Sequence, residues 1–469
     1  MKYTDFFDRY IISPGIIVLA GISILFIYAC STDMGKVDLQ HEARESFSFS
    51  GSDTMSATWW YSFNDASLNA LVDSAIRRNY DLKIAWQRMK SAAAVLQREK
   101  APLFPFLDAY ASGNINSSKN EFRDGRSFEA GLSAEYEIDL WGRIRAQVEA
   151  EEFRLEASKQ NYKAAAISIS SSVALSWFQL TEAKQELDLI EKQIATSEKM
   201  LELIKARFGS GQIRSVDILR QKQQIESTKE QRILVKNRIE RLQNFLSTLI
   251  GIPAVNDFAF ETDSLPELPG LPTTGVPLES VQRRPDVQIA YNLLKAADKD
   301  LAAAISKRYP RLSLNASVSS LSDASSELFK DWAYSVGGNL LAPIFYGRQL
   351  QAAADRAKAI KNERLYEYVQ TVLNAFREVE DALANEINQK DLISSIEKQL
   401  DLAQKSYKQL QIEYLNGMSD YLDVLIALNE EQQLRRDLLS ARLSLLEYRI
   451  FLYRSLAGGF DTFREREED

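Results

Sequence analysis

FEAGLSAEYEIDL, residues 128–140, decides the fold, because its apolar and polar side chains alternate along the whole run. A period of two places them on opposite faces of a β-strand, whereas a helix would scatter them around its axis. The run exceeds the ~9–11 residues that a tilted strand needs to cross a bilayer. We expect its polar face to line a water-filled lumen and to favour cations mildly, because four carboxylates lie on it. They are Glu129, Glu135, Glu137 and Asp139.

The motif that follows this run occurs twice in the chain. Trp141-Gly142-Arg143 has a counterpart 205 residues later in Tyr346-Gly347-Arg348, and we predict that both are junctions between a strand and a helix. Other segments match at that offset, or at 206 after an insertion: Tyr80–Leu82 with Pro285–Val287, Pro105 with Pro310, and Val216–Leu219 with Leu422–Leu425. Residues 79–251 and 284–458 are therefore two copies of one unit. A duplicated unit favours a pseudo-symmetric scaffold over a single catalytic cleft.

Three further runs complete a set of four predicted strands. Residues 332–340 repeat the alternation in copy 2, one residue out of step with the 205 offset, which a bulge or a one-residue shift would explain. Runs at 107–115 and 312–318 precede the two longer strands, and polar segments at 117–126 and 320–331 would join each pair as a hairpin.

The number of strands decides between two readings of these hairpins. An ordinary β-sandwich would need about seven strands. Strands that span a membrane must close into a barrel, and about eight strands is the smallest such barrel. Four strands cannot close, so we expect each chain to contribute its hairpins to an oligomeric barrel, at least a dimer.

Stretches without glycine or proline predict very long helices over residues 143–208, 212–250, 348–416 and 418–457. Apolar residues from Val173 to Phe208 recur in steps of four and three, the pattern of a coiled-coil seam, and Val379 to Tyr414 repeat it in copy 2. Each seam ends at a tight turn that contains Gly209 and Gly211, or Gly417. We expect a second helix to return antiparallel from each turn. Two solvated helical hairpins are the simpler alternative to the wall of a tube.

Composition and the N-terminus set further limits. The net charge of −8 argues against nucleic acid as a partner, and one histidine (His41) with one cysteine (Cys30) argues against zinc sites and histidine-based triads. Residues 11–29 form an apolar run that ends at Cys30, which resembles a bacterial lipoprotein signal with Cys30 as the acylated residue. An uncleaved single-span anchor is the alternative.

Several motifs together resemble the TolC-type outer-membrane efflux proteins over residues 58–458, and most closely the lipoprotein branch that serves resistance-nodulation-division (RND) pumps. The motifs are Trp59-Trp60, Phe63-Asn64-Asp65, Leu68, Leu71, Asn79, Asp81-Leu82, residues 136–143, Arg283–Val287, Gly417 and residues 421–425. The resemblance implies an α+β membrane channel. Three chains would give four strands each to a twelve-stranded transmembrane barrel, continued by a long α-helical coiled-coil barrel in the periplasm. A mixed α/β belt would form near 60–75, 254–280 and the C-terminus.

The resemblance also implies a function and partners. It implies a passive duct across periplasm and outer membrane, in contact with outer-membrane lipid, a periplasmic adaptor protein and an inner-membrane RND-type pump. No cofactor or metal is implied. Along the chain we predict a signal peptide at 1–29, an extended segment at 30–60, repeat 1 at 61–253, a linker at 254–280, repeat 2 at 281–459 and a charged tail at 460–469.

An open duct would leak, and the resemblance implies closure at the helix tips, around the glycine turns. The residues there that we expect to form the gate or to contact the adaptor are Arg214, Asp217, Tyr414, Asp420, Leu422 and Asp423. Arg214 and Asp420 hold matched positions with opposite charge, so ion pairs or hydrogen bonds among these residues would hold the tips together. Leu422 with Ile426 would form an apolar constriction. The simpler interpretation of Asp217 and Asp423 is that each stabilises a helix N-terminus.

Other functions fit the sequence less well. No nucleophile elbow, phosphate loop or metal-ligand cluster indicates an enzyme. A membrane-tethered periplasmic adaptor shares the lipid anchor and a coiled-coil hairpin, but it would show one hairpin and no strands of bilayer length. A duct for type I protein secretion has the same architecture, so the sequence leaves the transported substrate open.

Overall fold

The computed structural model describes residues 46–53, 56–116, 125–254, 264–275 and 277–456. Within them the same order of elements occurs twice. The first series is α1 (Ala66–Arg78), α2 (Tyr80–Lys100), β1 (Phe106–Asn116), β2 (Gly125–Ile138), α3 (Arg143–Gly209) and α4 (Ser215–Leu249). The second series is α5 (Pro277–Gln282), α6 (Pro285–Ser306), β3 (Arg311–Ser322), β4 (Ala333–Leu341), α7 (Gln349–Leu415) and α8 (Tyr421–Leu456). The predicted signal peptide, Cys30, His41 and the predicted tail lie outside the described residues.

The four strands form one antiparallel sheet in the order β1-β2-β3-β4. The two predicted hairpins are confirmed, and β2 pairs with β3 to join them. The pairing also explains why the pattern of copy 2 is out of step. Phe106 pairs with Glu135 and Arg311 pairs with Leu341, so partners that are 205 residues apart on one side are 206 apart on the other. Copy 2 therefore has one residue fewer between this paired position and the shared junction motif, four (342–345) against five (136–140), and the shift of one residue is confirmed.

Two strand boundaries differ from the prediction. β2 covers Gly125–Ile138 rather than 128–140, and β3 continues to Ser322 rather than ending near 318. Ser320 and Ser322 interrupt the apolar pattern of β3, which made the end of that strand look like a loop. At the other end of β2, Asp139 continues the alternation by coincidence, because it lies in the connection to α3 and accepts hydrogen bonds from the first turn of that helix.

The long helices form as predicted. α3 and α7 each have 67 residues, about 100 Å at 1.5 Å per residue. Most of the predicted seam of α3 is buried, including Val173, Trp177 and Ile190, whereas Phe208 at its end is 44% exposed. One helix in the described part of the chain, α3, is long and apolar enough to cross a bilayer, but 67% of its most apolar window is buried in the protein. This degree of burial is typical of a core helix.

The chain divides into two compact units, and each unit takes parts from both repeats. Of the described residues, the first unit takes those within Ala93–Arg154 and Asn292–Tyr366, and the second takes those within Ala43–Ala92, Leu155–Tyr291 and Glu367–Asp469. The repeats of the sequence are thus not the units of packing. In the first unit, ion pairs join α3 to α6, among them Lys299 with Glu149.

The core of the second unit explains the first motif of the family resemblance. Trp59, Trp60 and Phe63 are buried together with Trp177 and Phe178. Asp65 accepts a hydrogen bond from the backbone N–H of Leu68 at 2.9 Å, which caps α1, and one from Trp177 Nε1 at 2.7 Å. A single carboxylate thereby fixes a helix start and a buried indole.

The expected mixed α/β belt contains little β structure. Among the described residues of the N-terminal and linker segments, Asp53 and Pro272 form one isolated parallel bridge. The linker instead lies against side chains of the long helices, where it covers a buried ion pair formed by Arg449 and Glu386.

Candidate functional site

The strand register sorts the sheet into one polar and one apolar face. Directly paired residues share a face, and the pairs Asp108–Ser133, Ser133–Ser317 and Ser317–Ser335 run across all four strands. The polar face carries Asp108, Tyr110, Ser112, Glu129, Ser133, Glu135, Glu137, Ser313, Asn315, Ser317, Ser319, Ser335 and Asn339. Three of the four predicted acidic residues therefore lie on one continuous polar surface.

These three carboxylates differ in their surroundings. Glu129 accepts a hydrogen bond from the Tyr110 hydroxyl at 3.0 Å, and Glu137 forms an ion pair with Arg143 at 2.9 Å. Glu135 is exposed and has no hydrogen bond or ion pair with another described residue. Asp139 is a correction to the prediction, because it lies beyond β2. Its two oxygens accept hydrogen bonds from the N–H groups of Ile144 and Arg145 at 3.0 and 2.9 Å, so it caps α3.

The apolar face exposes large side chains. Leu132, Val318 and Tyr334 lie side by side through the register, and they are 49%, 43% and 86% exposed. β1 and β4 each leave one edge without a strand partner among the described residues. Large exposed apolar surfaces and open strand edges both predict further contacts, with lipid for the face and with another strand for each edge.

The two strand-to-helix junctions have the backbone that their glycines predict. Gly142 and Gly347 have φ of 68° and 53°, in the left-handed region that favours glycine, and Arg348 follows at 66°. Arg143 begins α3 and donates hydrogen bonds to Glu137 and, at 2.9 Å, to Gln147. The predicted junction residues thus turn the chain from the sheet into α3 and α7.

At the helix tips, the reversals occur at Gly211 and Gly417, with φ of 75° and 76°. Gly209 is the last residue of α3 and lies inside the reversal, which is closed by hydrogen bonds from Gly211 N–H to the Phe208 carbonyl and from Gln212 N–H to the Arg207 carbonyl. Arg214 lies at the N-cap of α4 without a side-chain cap, and both it and Asp420 are exposed. Within the described chain these two residues form no ion pair with each other, so the charge pair that we predict stays a prediction for contacts between chains.

The two helical hairpins of one chain meet at their tips through Arg207, a residue that the sequence analysis did not select. It donates hydrogen bonds to the backbone carbonyls of Tyr414 at 2.9 Å and Leu415 at 3.3 Å, at the end of α7. Its guanidinium also lies 4.8 Å from the centre of the Tyr414 ring and donates to Gln212 at 3.1 Å. A cation at the C-terminus of a helix is favoured by the helix dipole. The position of Arg207 in the last turn of α3 is the feature of the sequence that could have indicated this contact.

Beside this contact lies a buried polar group of side chains, here called the tip cluster: Asp217, Gln221, Tyr414 and Tyr421. The Tyr421 hydroxyl donates to Gln221, which in turn donates to the Ser197 carbonyl at 2.7 Å. Asp217 is only 5% exposed, and both its Oδ1 and the Tyr414 hydroxyl lack a hydrogen-bond partner among the described residues. Burial, with the neighbouring Tyr414, Tyr407 and Asp217, raises the pKa of Tyr421, so it stays a neutral donor at physiological pH.

The remaining predicted tip residues are at the surface. Asp423 is exposed and accepts a hydrogen bond from the Ser419 hydroxyl at 3.3 Å, close to the start of α8. This contact fits the simpler interpretation as a carboxylate at a helix N-terminus. Leu422 and Ile426 are 40% and 56% exposed, so they are free to face other copies of the chain.

A second buried carboxylate lies midway along α3. Glu182 is 4% exposed and accepts a hydrogen bond from Arg238 of α4, whose guanidinium also lies 3.2 Å from Glu186. Glu447 of α8 approaches through Gln179, which donates to it at 2.8 Å. Burial, together with Glu186 and Glu447, raises the pKa of Glu182 to about 7, against the opposing effect of Arg238.

This shift predicts a pH dependence of stability. The folded chain binds the Glu182 proton more tightly than the unfolded chain, where the carboxyl has its ordinary pKa of 4.5. Stability from this group is therefore greatest below pH 4.5 and is lost as the pH rises through 7, by up to about 3 kcal/mol. We expect Glu182→Gln to unfold at a higher temperature than the wild type at pH 8. Its unfolding temperature should also change less between pH 5 and pH 8 than that of the wild type. Glu202→Gln removes a carboxylate from an exposed ion pair and is the matched control. If the unfolding temperature of Glu182→Gln changed with pH as steeply as that of the wild type, the raised pKa of Glu182 would be contradicted.

Comparisons with known proteins agree with this geometry. The sequence profile of the family described as "Outer membrane efflux protein" matches residues 71–252 and again 276–458, close to the two repeats. The pyoverdine export outer membrane protein OpmQ of Pseudomonas aeruginosa is 30% identical over 425 residues, 87% of this chain and 88% of OpmQ. The toluene efflux pump outer membrane protein TtgI of Pseudomonas putida is 28% identical over 413 residues, 85% of this chain and 86% of TtgI. The solved outer-membrane channel OprN superposes with a TM-score of 0.83 at 25% identity, over 90% of this chain and 96% of OprN.

Proposed function

This chain belongs to the outer membrane efflux protein family, and from that premise we propose that three copies form the passive exit duct of a tripartite efflux pump. The observation that carries the proposal is the four-stranded sheet, which exposes an apolar face and a polar face and, among the described residues, has two unpaired edges. Lipid would cover the apolar face, and the polar face would line the path of the exported molecule.

The strand directions support closure by identical copies. Neighbouring strands are antiparallel throughout, so β1 and β4 run in opposite directions. β4 of one copy can therefore pair antiparallel with β1 of the next, and the ring closes without a defect for any number of copies. Two copies would reach the minimum of about eight strands. Three copies give the twelve strands that the family resemblance implies.

The remaining parts of the assembly follow from the relatives. OpmQ and TtgI are described as proteins of pyoverdine export and of a toluene efflux pump, and we propose small organic molecules as the cargo here. A periplasmic adaptor and an inner-membrane pump of the RND type would supply coupling and energy. Acylation of Cys30 would anchor the N-terminus in the outer membrane.

We propose that the duct closes at the helix tips. Arg207 and the tip cluster support this role, because they join the α3–α4 hairpin to the α7–α8 hairpin within one chain. Adaptor tips that compete for this surface would separate the hairpins and open the duct. Arg214 and Asp420 would add contacts between neighbouring chains.

Fractionation and electrophysiology test the function. We expect the full chain in the outer-membrane fraction, as an oligomer of three that resists mild detergent and forms pores in planar bilayers. A monomer in the periplasmic or inner-membrane fraction, without pore activity, would support the adaptor alternative. Mass spectrometry of the mature N-terminus separately tests whether Cys30 is acylated.

The acidic residues of the polar face predict the ion preference of the pore. Glu135 and Asp108 are exposed carboxylates of this face without an ion-pair partner among the described residues, so no neighbouring cation offsets the charge of Glu135. We expect Glu135→Gln to lower the permeability ratio of K⁺ over Cl⁻ roughly twofold. Reversal potentials in a KCl gradient measure this ratio, and Glu135→Asp is the control that keeps the charge. Identical reversal potentials for all three proteins would show that Glu135 does not face the path.

A further inference from the structure

A small cavity lies in the first unit, where the strands give way to the helices. It has a volume of about 170 Å³ and is lined by Arg143, Lys307, Arg311, Leu341 and Tyr346, among others. That volume is several times what one water molecule needs. Arg311 and Leu341 pair directly and belong to the polar face of the sheet. The cavity therefore opens beside the surface that would line the duct.

The charges around this cavity are unbalanced. Of its three cations, Arg143 is neutralised by Glu137, which it contacts at 2.9 Å with one nitrogen and 3.3 Å with another. Lys307 and Arg311 are exposed and have no ion-pair partner among the described residues. Two positive charges thus line an open cavity, and a bound anion would interact favourably with both.

The duplicated scaffold does not require these charges. At the offset of 205, Lys307 corresponds to Pro102 and Arg311 corresponds to Phe106, which is the first residue of β1 as Arg311 is of β3. Both repeats make the same helix-to-strand connection, yet only the second has cations at these two positions. The fold of this connection therefore does not depend on the two cations.

We propose that this cavity binds an oxyanion group, a carboxylate or a phosphate, of the molecules that pass through the duct. An arginine can bind such a group with two parallel hydrogen bonds, and a lysine adds a point charge. The proposal rests on the proposed function, because only a closed barrel makes the polar face the path of the cargo. In a ring of identical copies the cavities would form a cationic level next to the carboxylates of the strands.

Calorimetry with two probes tests the proposal directly. Citrate and inorganic pyrophosphate are titrated into the detergent-solubilised full-length oligomer at about 0.1 M salt, where exposed charges are screened beyond ~10 Å. We expect at least one probe to bind. The probe with the higher affinity shows whether the cavity prefers carboxylate or phosphate. The variant Lys307→Gln/Arg311→Gln should bind at least about tenfold more weakly. Lys307→Gln alone is the fallback if the double variant does not assemble.

The matched control removes the same charge nearby. Arg308 and Arg348 flank the cavity in sequence but do not line it. Arg308→Gln/Arg348→Gln should keep the affinity within about twofold, because neither side chain lines the cavity and charges that do not contact the anion are screened by salt. Equal weakening in both double variants, or no heat from either probe, would overturn the site.

Bilayer recordings separate this site from the function itself. The same probes should reduce the wild-type pore current but not that of Lys307→Gln/Arg311→Gln. Loss of the block in bilayers that contain phosphatidylglycerol would show that lipid headgroups reach the cavity, which would overturn its assignment to cargo. A chain that binds the probes but forms no pore would instead refute the proposed duct.

Discussion

Replacing Arg449 with alanine is expected to lower the free energy of unfolding of the second unit by about 3–5 kcal/mol, because it leaves a buried carboxylate without its partner. Arg449 and Glu386 have side chains that are 0% and 1% exposed, and they form two hydrogen bonds of 2.7 and 2.8 Å. Arg449 also donates to the carbonyls of Pro269 and Gly270, both at 2.6 Å. Its loss would therefore release the linker as well as the ion pair.

The pKa values agree with a pair that is charged in the folded protein. Burial alone would raise the pKa of Glu386, but hydrogen bonds from Arg449 and Lys390 lower it below its usual value. The contribution of this carboxylate is therefore present above pH 4.5 and is lost as the pH falls below that value. Below that pH the wild type and Arg449→Ala should differ less.

Two measurements and two controls make this prediction specific. Unfolding followed by circular dichroism reports the overall loss, and hydrogen exchange of residues 264–275 reports release of the linker. Arg442→Ala removes an exposed pair on the same helix, with Glu397 at 3.0 Å, and should cost no more than about 1 kcal/mol. Arg449→Met/Glu386→Leu should lose less than Arg449→Ala, since no lone charge remains buried. Unchanged exchange of the linker in Arg449→Ala would refute its anchoring role.

The sequence predicted the parts of the fold that depend on periodicity. Alternation located four strands, and the absence of glycine and proline located α3 and α7 to within a residue or two. The discrepancy between the repeats even predicted a shift of one residue, which the pairing of Arg311 with Leu341 confirms. These features follow from local geometry, because the spacing of apolar residues along the chain reflects the period of the strand or helix that they form.

The features that the sequence did not predict depend on contacts between segments that are far apart in the chain. An arginine such as Arg449 is expected on the solvent-exposed face of a helix. Nothing near it in the sequence shows that the linker around Pro269 covers it. Arg207 is one of many cations on α3, and the two carbonyls to which it donates at the end of α7 lie in the other repeat. Asp139 was misplaced for a related reason, because a capping carboxylate continued the alternation of β2 by chance. Periodicity assigns faces, but it does not show which segments cover them.

Arg207→Ala is expected to raise the resting conductance of the pore at least about tenfold, because hydrogen bonds to a charged group contribute about 1.5–3 kcal/mol and 1.4 kcal/mol is a factor of ten. The residue joins α3 to the end of α7 through two carbonyls and the Tyr414 ring. Each copy in the assembly would lose the same contacts, so the effect on a concerted gate would be multiplied. Arg207→Lys keeps the charge but not the planar arrangement of donors. Its resting conductance should lie between those of the wild type and Arg207→Ala.

Comparison with other tip variants decides which contacts hold the duct closed. Lys205→Ala removes an exposed ion pair with Glu202 on the same helix and should leave the resting conductance unchanged. Arg214→Ala/Asp420→Ala tests the charge pair between chains, and each exposed pair contributes at most about 1 kcal/mol. A rise in conductance in that variant but not in Arg207→Ala would place the lock between neighbouring chains. A rise in Arg207→Ala alone would place it within each chain, where one side chain of the first repeat closes on the helix end of the second.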